Sequence, residues 1–420
     1  MRDKAVGKLI REEVRRQAET LDLIPSENFA SRGVREALGS VFTNKYAEGY
    51  PGARYYGGNE VADEVENICR KRALKLFHLA PRRWAVNVQP YSGSPANLAV
   101  YLALVPLGEK IMGLKLDMGG HLTHGHKVSA TGKLWRAVQY EVDKKTEVLD
   151  YDVLSRIARR ERPKLIIAGY TAYPRIIDFR KFRKIADAVH AYLMVDMSHF
   201  AGLVAGGAYP SPFSARGGQA FADVVMTTTH KTLRGPRAAM IFANRESKIA
   251  KRNKIDIAKA IDRAVFPGLQ GGPHINQIAA TAVALAEAAT PSFRRYTHQV
   301  VKNARALANE LQKLGWRIVS GGTDSHLLLI DVAARGFGGK ETSDKLEAQG
   351  IIVNKNTIPF DSRSPADPSG IRLGTPALTT RGMKEGEMKK IAQLITDTLI
   401  NGKNVLPQVR KLCRIFPVAY

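Results

Sequence analysis

The sequence predicts an α/β protein: a mostly parallel central sheet with helices on both faces, a smaller C-terminal α/β domain and an N-terminal arm. Short apolar runs alternate with helical patterns through most of the chain, which is the pattern of parallel βαβ units. The 420 residues exceed what one ordinary core holds, and 44% hydrophobic with 25% charged residues indicates a globular chain with a sizeable core. We expect an arm over 1–58, a large domain over 59–274 and a small domain over 275–420.

The predicted elements follow in chain order. Near the N-terminus, Val6, Leu9, Ile10 and Val14 share one face of a helix. A helix over 61–77 is expected to turn Val61, Val65, Ile68 and Leu74 inward. Further large-domain helices are expected at 92–104 and 179–190, with strands at 84–89, 111–116, 164–169, 192–196, 223–226 and 238–243. The small domain is expected to hold helices at 275–289, 293–314 and 340–349, with strands at 316–319, 326–331, 351–353 and 370–373.

The lysine at position 231 is the first candidate for chemistry. It lies in a turn between two apolar strands, within the sequence Thr228-Thr229-His230-Lys231-Thr232. Burial shifts an ammonium group toward its neutral, nucleophilic form, which is what a Schiff base with an aldehyde cofactor requires. By itself, a lysine among threonines is equally the mark of an ordinary polar loop.

A carboxylate supplies the second half of the pattern. Asp196 ends the apolar run 191–196, and open α/β sheets bind ligands at the carboxyl ends of their strands. Alone, such an acid is as often a turn or helix cap. Pyridoxal phosphate, however, needs both a Schiff-base lysine and an acid that keeps its ring nitrogen protonated, so Asp196 with Lys231 predicts that cofactor.

Three further segments add polar groups suited to a phosphate or a substrate. Ser92-Gly93-Ser94 opens a helix after the first strand, where free N–H groups bind anions, although the same residues also form plain caps. The loop over 44–58, rich in tyrosine and glycine, is typical of a site-lining loop or of a subunit contact. A second glycine-rich loop covers 266–273. Thr171, just past a strand end, is either a cofactor contact or an ordinary loop residue.

Composition excludes several classes of protein. No apolar run approaches the length of a membrane span. Asp3, Glu12 and Glu13 argue against reading the arginine-rich N-terminus as a transit peptide. Two cysteines are too few for a disulfide framework and lack metal-ligand spacing, so we expect a cytoplasmic protein without a metal. The net charge of +25 is spread along the chain and is interpreted first as solvated surface, then as attraction for anionic small molecules, and only third as nucleic-acid binding.

The order of these motifs resembles one family. The segments 46–52, 54–58, 92–94, 119–125, 195–199 and 228–232 are similar to those of serine hydroxymethyltransferases, and the similarity runs from about Leu21 to the C-terminus. The resemblance implies pyridoxal-phosphate-dependent fold type I, related to aspartate aminotransferase. It also implies an obligate homodimer with shared active sites, and reversible conversion of L-serine and tetrahydrofolate to glycine and 5,10-methylenetetrahydrofolate, a part of one-carbon metabolism.

The resemblance assigns roles to individual residues. His121 lies over the cofactor ring, whereas His124 is expected to be a hydrogen-bonded loop residue. Catalytic roles fall to Lys231, Glu48, Tyr56 and His230. Cofactor contacts are implied for Ser92, Gly93, Ser94, His121, Thr171, Asp196, His199, Thr228, Lys231, Gly271, Gly272 and Tyr46. Substrate contacts are implied for Ser26, Glu48, Tyr56, His199 and Arg372, and folate contacts for Tyr55, Leu116, Gly120, His121, Leu122, Asn356 and Ser364.

Arg372 also has a physical argument of its own. Its planar guanidinium suits an amino-acid carboxylate, and its strand is bordered by glycines and proline. Three positions differ from the family pattern: the pair Asp117-Met118, Met226 where a further threonine is common, and Tyr91, one of two common variants. Two rival functions remain: a folate-independent aldolase or transaldolase of β-hydroxy amino acids, and a basic RNA-binding protein on an enzyme scaffold.

Overall fold

The computed structural model describes residues 3–214 and 220–419 and divides into two compact units. The terminal unit comprises Met1–Phe29 and His298–Tyr420, and the central unit comprises Ala30–Thr297. The central unit is therefore inserted, in sequence, between two parts of the terminal unit. The functional division predicted from the sequence, with boundaries after residues 58 and 274, stays a prediction.

The helices and strands account for most of the described chain. The helices are α1 (Lys4–Glu19), α2 (Arg32–Leu38), α3 (Glu60–Leu76), α4 (Gly93–Leu104), α5 (Ala130–Leu134), α6 (Tyr151–Glu161), α7 (Phe179–Val189), α8 (Ala201–Ala205), α9 (Lys248–Arg252), α10 (Ile257–Arg263), α11 (Ile275–Ala288), α12 (Pro291–Lys313), α13 (Gly339–Ala348), α14 (Pro376–Thr380), α15 (Glu385–Leu399) and α16 (Leu406–Ile415). The strands are β1 (Leu21–Asp22), β2 (Gly49–Tyr50), β3 (Ala53–Arg54), β4 (Trp84–Asn87), β5 (Lys110–Leu114), β6 (Arg136–Tyr140), β7 (Leu165–Gly169), β8 (Tyr192–Asp196), β9 (Val224–Thr228), β10 (Ala239–Asn244), β11 (Arg317–Ile318), β12 (Leu327–Asp331), β13 (Ile351–Ile352), β14 (Asn354–Asn356) and β15 (Gly370–Gly374).

The central unit is built on a seven-stranded sheet in the order β4-β10-β9-β8-β7-β5-β6. Its strands run parallel except β10, which is antiparallel to both of its neighbours. This confirms the predicted α/β fold with a mostly parallel sheet. Strands β7 to β10 are buried along their whole length, as expected for strands covered on both faces. The carboxyl ends of β8 and β9 lie side by side, and there the sheet presents its candidate site.

The terminal unit has its own core. Its four-stranded sheet, in the order β11-β12-β15-β14, is antiparallel throughout, and β1 pairs in parallel with β13. Apolar side chains from α12, α13, α15 and α16 pack with these strands in one buried cluster. The first half of the predicted arm, up to Phe29, thus belongs to the same folded unit as the chain from His298 onward.

One predicted helix face is wrong. On α3, Val61 is 62% and Ile68 44% exposed, whereas Ala62, Cys69 and Ala73 are buried. This helix packs against α11, whose own facing residues include several alanines. Small side chains let the two helix backbones approach closely, so the alanine stripe faces inward and the branched residues remain on the surface. Among the described residues, every helix falls short of the length and apolarity that a membrane span requires.

Candidate active site

Lys231 lies in the turn that joins β9 to β10, as the sequence predicts. The turn is held by its own backbone: the Gly235 N–H donates to the Thr229 carbonyl at 2.8 Å, and the Arg234 N–H donates to the Lys231 carbonyl at 3.1 Å. The Thr232 hydroxyl donates to the His199 carbonyl at 3.0 Å and so ties the turn to the segment after β8. These hydrogen bonds hold the backbone of Lys231 in place, and its side chain is half-buried.

Asp196 is the last residue of β8 and is 5% exposed. Its Oδ2 accepts hydrogen bonds from Asn97 Nδ2 at 3.0 Å and from His124 Nε2 at 3.2 Å, and its Oδ1 accepts from the Ser198 N–H at 3.1 Å. Burial alone would raise the pKa of this carboxyl. Hydrogen bonds from His124 and Ser198 nevertheless outweigh burial and hold the pKa of Asp196 well below its usual range. A buried but ionised carboxylate therefore stands at the strand end.

Two histidines and a threonine surround that carboxylate. His121 Nδ1 lies 2.7 Å from Thr123 Oγ1, which in turn accepts a hydrogen bond from Asn97 Nδ2 at 2.8 Å. The backbone N–H of His121 donates to His124 Nδ1 at 3.3 Å. The predicted hydrogen-bonded role of His124 is confirmed, and its partner is Asp196 itself.

Burial keeps the two histidines nearest Lys231 neutral. It lowers the pKa of His121 to about 4, and the charge of Lys231 lowers it further. It lowers the pKa of His230 to about 3, again helped by the charge of Lys231. Both imidazoles are thus uncharged at neutral pH, and both lie close enough to Lys231 for its charge to lower their pKa values.

The predicted phosphate site begins at Ser92, the residue before α4. Its side chain makes no capping hydrogen bond to the helix, so the hydroxyl is not used by the protein's own backbone. A Cβ atom added to Gly93 would lie 2.8 Å from Thr228 Cγ2, so glycine is required for the close approach of α4 to the end of β9. Ser94 is exposed beside them. Hydroxyls and helix N–H groups here suit a phosphate.

The tyrosine-rich loop forms a second group of polar side chains. The Tyr46 hydroxyl donates to Glu48 Oε1 at 2.9 Å, and the ring of Tyr56 contacts Tyr46 edge-on at 5.2 Å between centroids. Gly271 and Gly272 lie against the same pair: a Cβ on Gly271 would be 3.2 Å from Glu48 Oε1, and one on Gly272 would be 3.1 Å from the Tyr46 ring. The two glycine-containing loops therefore meet on one surface.

The remaining predicted contacts are distributed around the central sheet and within the terminal unit. His199 is buried after β8, and the Thr171 N–H donates to the Gly119 carbonyl at 2.8 Å. The predicted folate residues of the central unit differ in exposure: Gly120 is buried, Leu116 is half-buried, and Leu122 and Tyr55 are exposed.

Four predicted contacts belong to the terminal unit. Arg372 lies on β15 and is buried, and its Nε donates to Asn354 Oδ1 at 3.2 Å. Burial lowers the pKa of Arg372 to about 10, which leaves the guanidinium charged at neutral pH. Asn356 ends β14, Ser364 lies on an exposed loop, and Ser26 is half-buried in the arm.

Two orphaned atoms test whether a cofactor fits beside Lys231. Within the described residues, His230 Nδ1 and Asn97 Oδ1 are buried and have no hydrogen-bond partner. Buried polar atoms normally have partners, so these point to a group bound next to them. With an ionised carboxylate at Asp196, a lysine at 231 and a phosphate-type helix start at Ser92, the residues fit pyridoxal phosphate.

Sequence reasoning missed two buried residues of this site. Asn97 is fully buried within an otherwise apolar helix, and Thr123 follows the predicted glycine-histidine motif. The signal for Asn97 was available, because a polar amide inside an apolar helical face must find hydrogen-bond partners. The sequence could not say that those partners would be Asp196 and Thr123.

Comparisons with known proteins identify the family of this chain. The family model for serine hydroxymethyltransferase matches residues 1–395. A serine hydroxymethyltransferase of Acidobacterium capsulatum is 56% identical over 402 residues, covering 96% of this chain and 90% of that protein. One from Koribacter versatilis is 52% identical over 422 residues, covering 99% and 94%. Taken with the buried Asp196 and the turn of Lys231, these matches show that the chain belongs to the serine hydroxymethyltransferase family.

Proposed function

We propose that Lys231 and Asp196 form the catalytic centre at which this chain carries out its family's reaction. That reaction is the reversible transfer of the hydroxymethyl group of L-serine to tetrahydrofolate, giving glycine and 5,10-methylenetetrahydrofolate, with pyridoxal phosphate as cofactor. The observation that supports the residue assignment best is buried Asp196 at the end of β8, whose oxygens accept hydrogen bonds from Asn97, His124 and Ser198. Few structural roles require a carboxylate to stay charged at a strand end, whereas a ring nitrogen that must keep its proton does.

Each central residue then has one task. When bound, pyridoxal phosphate supplies an electron sink for the pair released on cleavage of the Cα–Cβ bond. Asp196 holds a proton at the ring nitrogen, Lys231 provides the covalent anchor, and His121 covers a face of the ring. The hydroxyls of Ser92 and Ser94, with the Gly93 N–H, are proposed to hold the phosphate. Thr171, His199 and Thr228 are proposed to line the cofactor's polar edge.

Substrate recognition is assigned to charged and polar groups. In the terminal unit, Arg372 is proposed to bind the carboxylate of serine, and Ser26 to assist it. The buried guanidinium of Arg372 is already oriented, because its Nε donates a hydrogen bond to Asn354 Oδ1. Less side-chain freedom is therefore lost when a carboxylate binds. His230 stays neutral beside Lys231, which lets it shape the substrate site without adding charge.

A homodimer with shared sites is proposed from the surface of residues 41–68. Val41 is 81%, Tyr55 74% and Val61 62% exposed, an unusual density of large apolar side chains for a free surface. Glu48 and Tyr56 lie in the same segment. In this assembly, Gly271 and Gly272 of the partner subunit would complete the phosphate site, and the partner's Tyr46 would lie near the cofactor.

The folate site is proposed at the surface around the 3₁₀ turns after β5. Leu116, Gly120 and Leu122 would contact the pteridine, together with Tyr55 of the partner subunit. Asp117, which differs from the family pattern, pairs with Lys115 at 3.1 Å, a lysine that also pairs with Glu141 at 2.9 Å. For Asn356 and Ser364, in the terminal unit, folate contact is proposed from the family resemblance alone. Free, buried thiols at Cys69 and Cys413 are consistent with the proposed cytoplasmic location.

Glu48 is proposed as the acid that handles protons between serine's hydroxyl and the folate nitrogens, with Tyr56 beside it. The neighbouring Tyr46 hydroxyl holds Oε1, which fixes the direction of the carboxyl group. Cleavage of a β-phenylserine needs no folate, so the two reactions separate this role from general support of the cofactor. A folate-independent aldolase would cleave both substrates without tetrahydrofolate.

The test compares Glu48→Gln with the native protein in both assays. The variant should lose folate-dependent serine turnover by roughly 100-fold, the usual contribution of a general acid or base, and keep most of its phenylserine cleavage. Glu347→Gln, an exposed acid on α13, is the matched control and should behave as the native protein. Equal losses in both assays would remove the proton-transfer role from Glu48. Serine turnover that does not depend on tetrahydrofolate would favour the aldolase.

A further inference from the structure

The groups around Asp196 form a closed circuit of hydrogen bonds. Starting at the carboxylate, the circuit passes through the Asn97 amide, the Thr123 hydroxyl and the His121 ring. It returns through the His121 backbone N–H and the ring of His124 to the same carboxylate oxygen. In such a circuit, a group that donates requires its neighbour to accept. The position of each proton can therefore be derived in turn.

The derivation begins at the charge. An ionised Asp196 accepts hydrogen bonds only, so Asn97 must present its amide Nδ2 to it and not its carbonyl oxygen. The second hydrogen on that Nδ2 goes to Thr123 Oγ1 at 2.8 Å. With both amide hydrogens used in this way, Oδ1 of Asn97 is the atom of that amide left without a partner.

The two imidazole tautomers follow. Since Thr123 Oγ1 accepts from Asn97, its own hydrogen is free to point at His121 Nδ1, 2.7 Å away. The Thr123 backbone N–H also donates to that nitrogen at 3.2 Å. Nδ1 of His121 is therefore bare and its proton is on Nε2. By the same rule His124 Nδ1 accepts from the His121 N–H, so His124 carries its proton on Nε2 and donates it to Asp196.

We propose that Asn97 and Thr123 are positioning residues that pass the charge state of Asp196 to His121 and thereby fix the tautomer and ring orientation of that histidine. The inference rests on the proposed assignment of Asp196 and His121 to the cofactor. With that assignment, one carboxylate both serves the ring nitrogen and orients the imidazole above the ring. The titratable groups that face His121 are Asp196, His124 and Lys231, and the circuit contains the first two.

The first test needs no cofactor and uses variants only to assign signals. Cofactor-free native protein labelled with ¹⁵N-histidine should show the ring protons of His121 and His124 on Nε2, with His121 neutral at pH 7. Assignment uses His121→Gln and His124→Gln, each of which removes one set of signals. Finding the proton of His121 on Nδ1 would overturn the derivation.

The second test cuts the circuit at one atom. Thr123→Val keeps the shape but removes the hydroxyl, so the neutral form of His121 loses a hydrogen-bond donor and its pKa should rise by roughly 0.5 to 1 unit. Thr123→Ser restores the hydroxyl and should restore the native titration. Tyr101→Phe is the matched control, because its buried hydroxyl donates to the Thr123 carbonyl at 3.0 Å and lies outside the circuit. An unchanged His121 titration in a folded Thr123→Val protein would contradict the proposal.

Cofactor affinity provides a separate measurement. By equilibrium dialysis, Thr123→Val should bind pyridoxal phosphate several-fold more weakly than the native protein, with Thr123→Ser close to native. If the tautomers and titrations are as expected but affinity is unchanged in Thr123→Val, the positioning role toward the cofactor is overturned. If the native protein shows the expected tautomers but binds no pyridoxal phosphate, the proposed cofactor assignment fails, and the circuit itself stands.

Discussion

Asp196 and Asp22 are both buried carboxyls, yet their pKa values move in opposite directions. Asp196 accepts hydrogen bonds from an imidazole, an amide and a backbone N–H, which together outweigh the cost of burial. Asp22 is raised to a pKa of about 8 by burial and by the neighbouring negative charge of Glu27. The neighbouring groups therefore determine whether a buried carboxyl is ionised at neutral pH, as in Asp196, or keeps its proton and destabilises the fold when it ionises, as in Asp22.

At the residue scale, Lys231 should be the covalent anchor. Borohydride treatment of the cofactor-loaded protein, followed by peptide mapping, should mark the peptide that contains Lys231, because only this lysine lies in the turn next to His121 and His230. Lys231→Ala should bind pyridoxal phosphate only weakly and show no such label. A modified peptide from any other lysine would refute the assignment.

Arg372 should control the affinity for serine. A desolvated, charge-assisted contact contributes a few kcal/mol, so Arg372→Ala should raise the apparent KM for serine about 100-fold. Arg372→Lys keeps the charge but loses the planar fork, and it should fall between native and Ala. Steady-state kinetics over a wide range of serine concentration measure this. A KM that does not change in Arg372→Ala would place the carboxylate site elsewhere.

At the scale of elements, Tyr91 joins the glycine-rich loop over 266–273 to the start of α4. The Tyr91 hydroxyl donates to the Gly272 carbonyl at 2.7 Å, its backbone N–H donates to Gln270 Oε1 at 3.0 Å, and its ring stacks on His274 at 4.1 Å. The next residue is Ser92, at the start of α4. One tyrosine therefore fixes the glycine-rich loop relative to the helix start that is proposed to bind phosphate.

Removing that hydroxyl should loosen the loop. Tyr91→Phe loses one neutral hydrogen bond of about 1 kcal/mol, so affinity for pyridoxal phosphate should fall roughly fivefold, measured by titration of cofactor absorbance. Tyr140→Phe, which loses an equivalent buried bond to the Ile167 carbonyl at 2.8 Å, is the matched control and should leave that affinity unchanged. Equal effects of the two substitutions would mean that Tyr91 contributes only general stability.

Strands with continuous apolar runs could be predicted from sequence, and those with other patterns could not. Strands β7 and β8 are buried throughout and apolar except for Asp196 at the end of β8, and they lie within a residue of their predicted bounds. By contrast β6, at the sheet edge, begins with exposed residues, and β14 consists of Asn354, Lys355 and Asn356. These two strands form through pairing with a neighbour, which is a tertiary effect that no local pattern reveals.

The candidate site was predictable to a similar degree. Lys231 and Asp196 follow from strand ends and cofactor chemistry. Asn97 and Thr123 were missed because their importance lies in which atoms they meet, and residues 97, 123 and 196 come together only in the folded sheet. The inward face of α3 was wrong for the related reason that Val61 looks like core until the partner helix is known.

At the scale of the whole molecule, the two chain ends are bound by one side chain. Arg381 donates hydrogen bonds to the Thr20 carbonyl at 2.7 Å, the Cys413 carbonyl at 3.0 Å and the Phe416 carbonyl at 2.6 Å. These carbonyls lie at the C-terminal ends of α1 and α16, where helices present unsatisfied oxygens and negative potential. A single guanidinium thus caps both terminal helices of the terminal unit.

Stability should depend on pH through Asp22. Because its folded pKa of about 8 exceeds the ordinary value near 4, the folded state keeps a proton that the unfolded chain releases between those values. Stability is therefore lost as pH rises from about 4 to about 8. Asp22→Asn, which keeps a donor toward Glu27 but cannot ionise, should raise the free energy of unfolding at pH 8.5 by at least about 1 kcal/mol more than at pH 5.

Denaturant titrations at the two pH values measure this difference. The control is Glu347→Gln, an exposed acid on α13 in the same unit, for which we expect similar small changes at both pH values. A stabilisation by Asp22→Asn that is the same at pH 5 and pH 8.5 would show that Asp22 is not the group that titrates.

The insertion of one unit within the other has a consequence for synthesis on the ribosome. Ala30–Thr297 emerges as one uninterrupted stretch and can fold while the rest of the chain is still being made. The first 29 residues must wait, because β1 pairs with β13 and Arg381 lies far downstream. Until then α1 lacks α16, against which it packs in the folded unit. The segment made first is therefore among the last to find its partners, and it stays without them through most of translation.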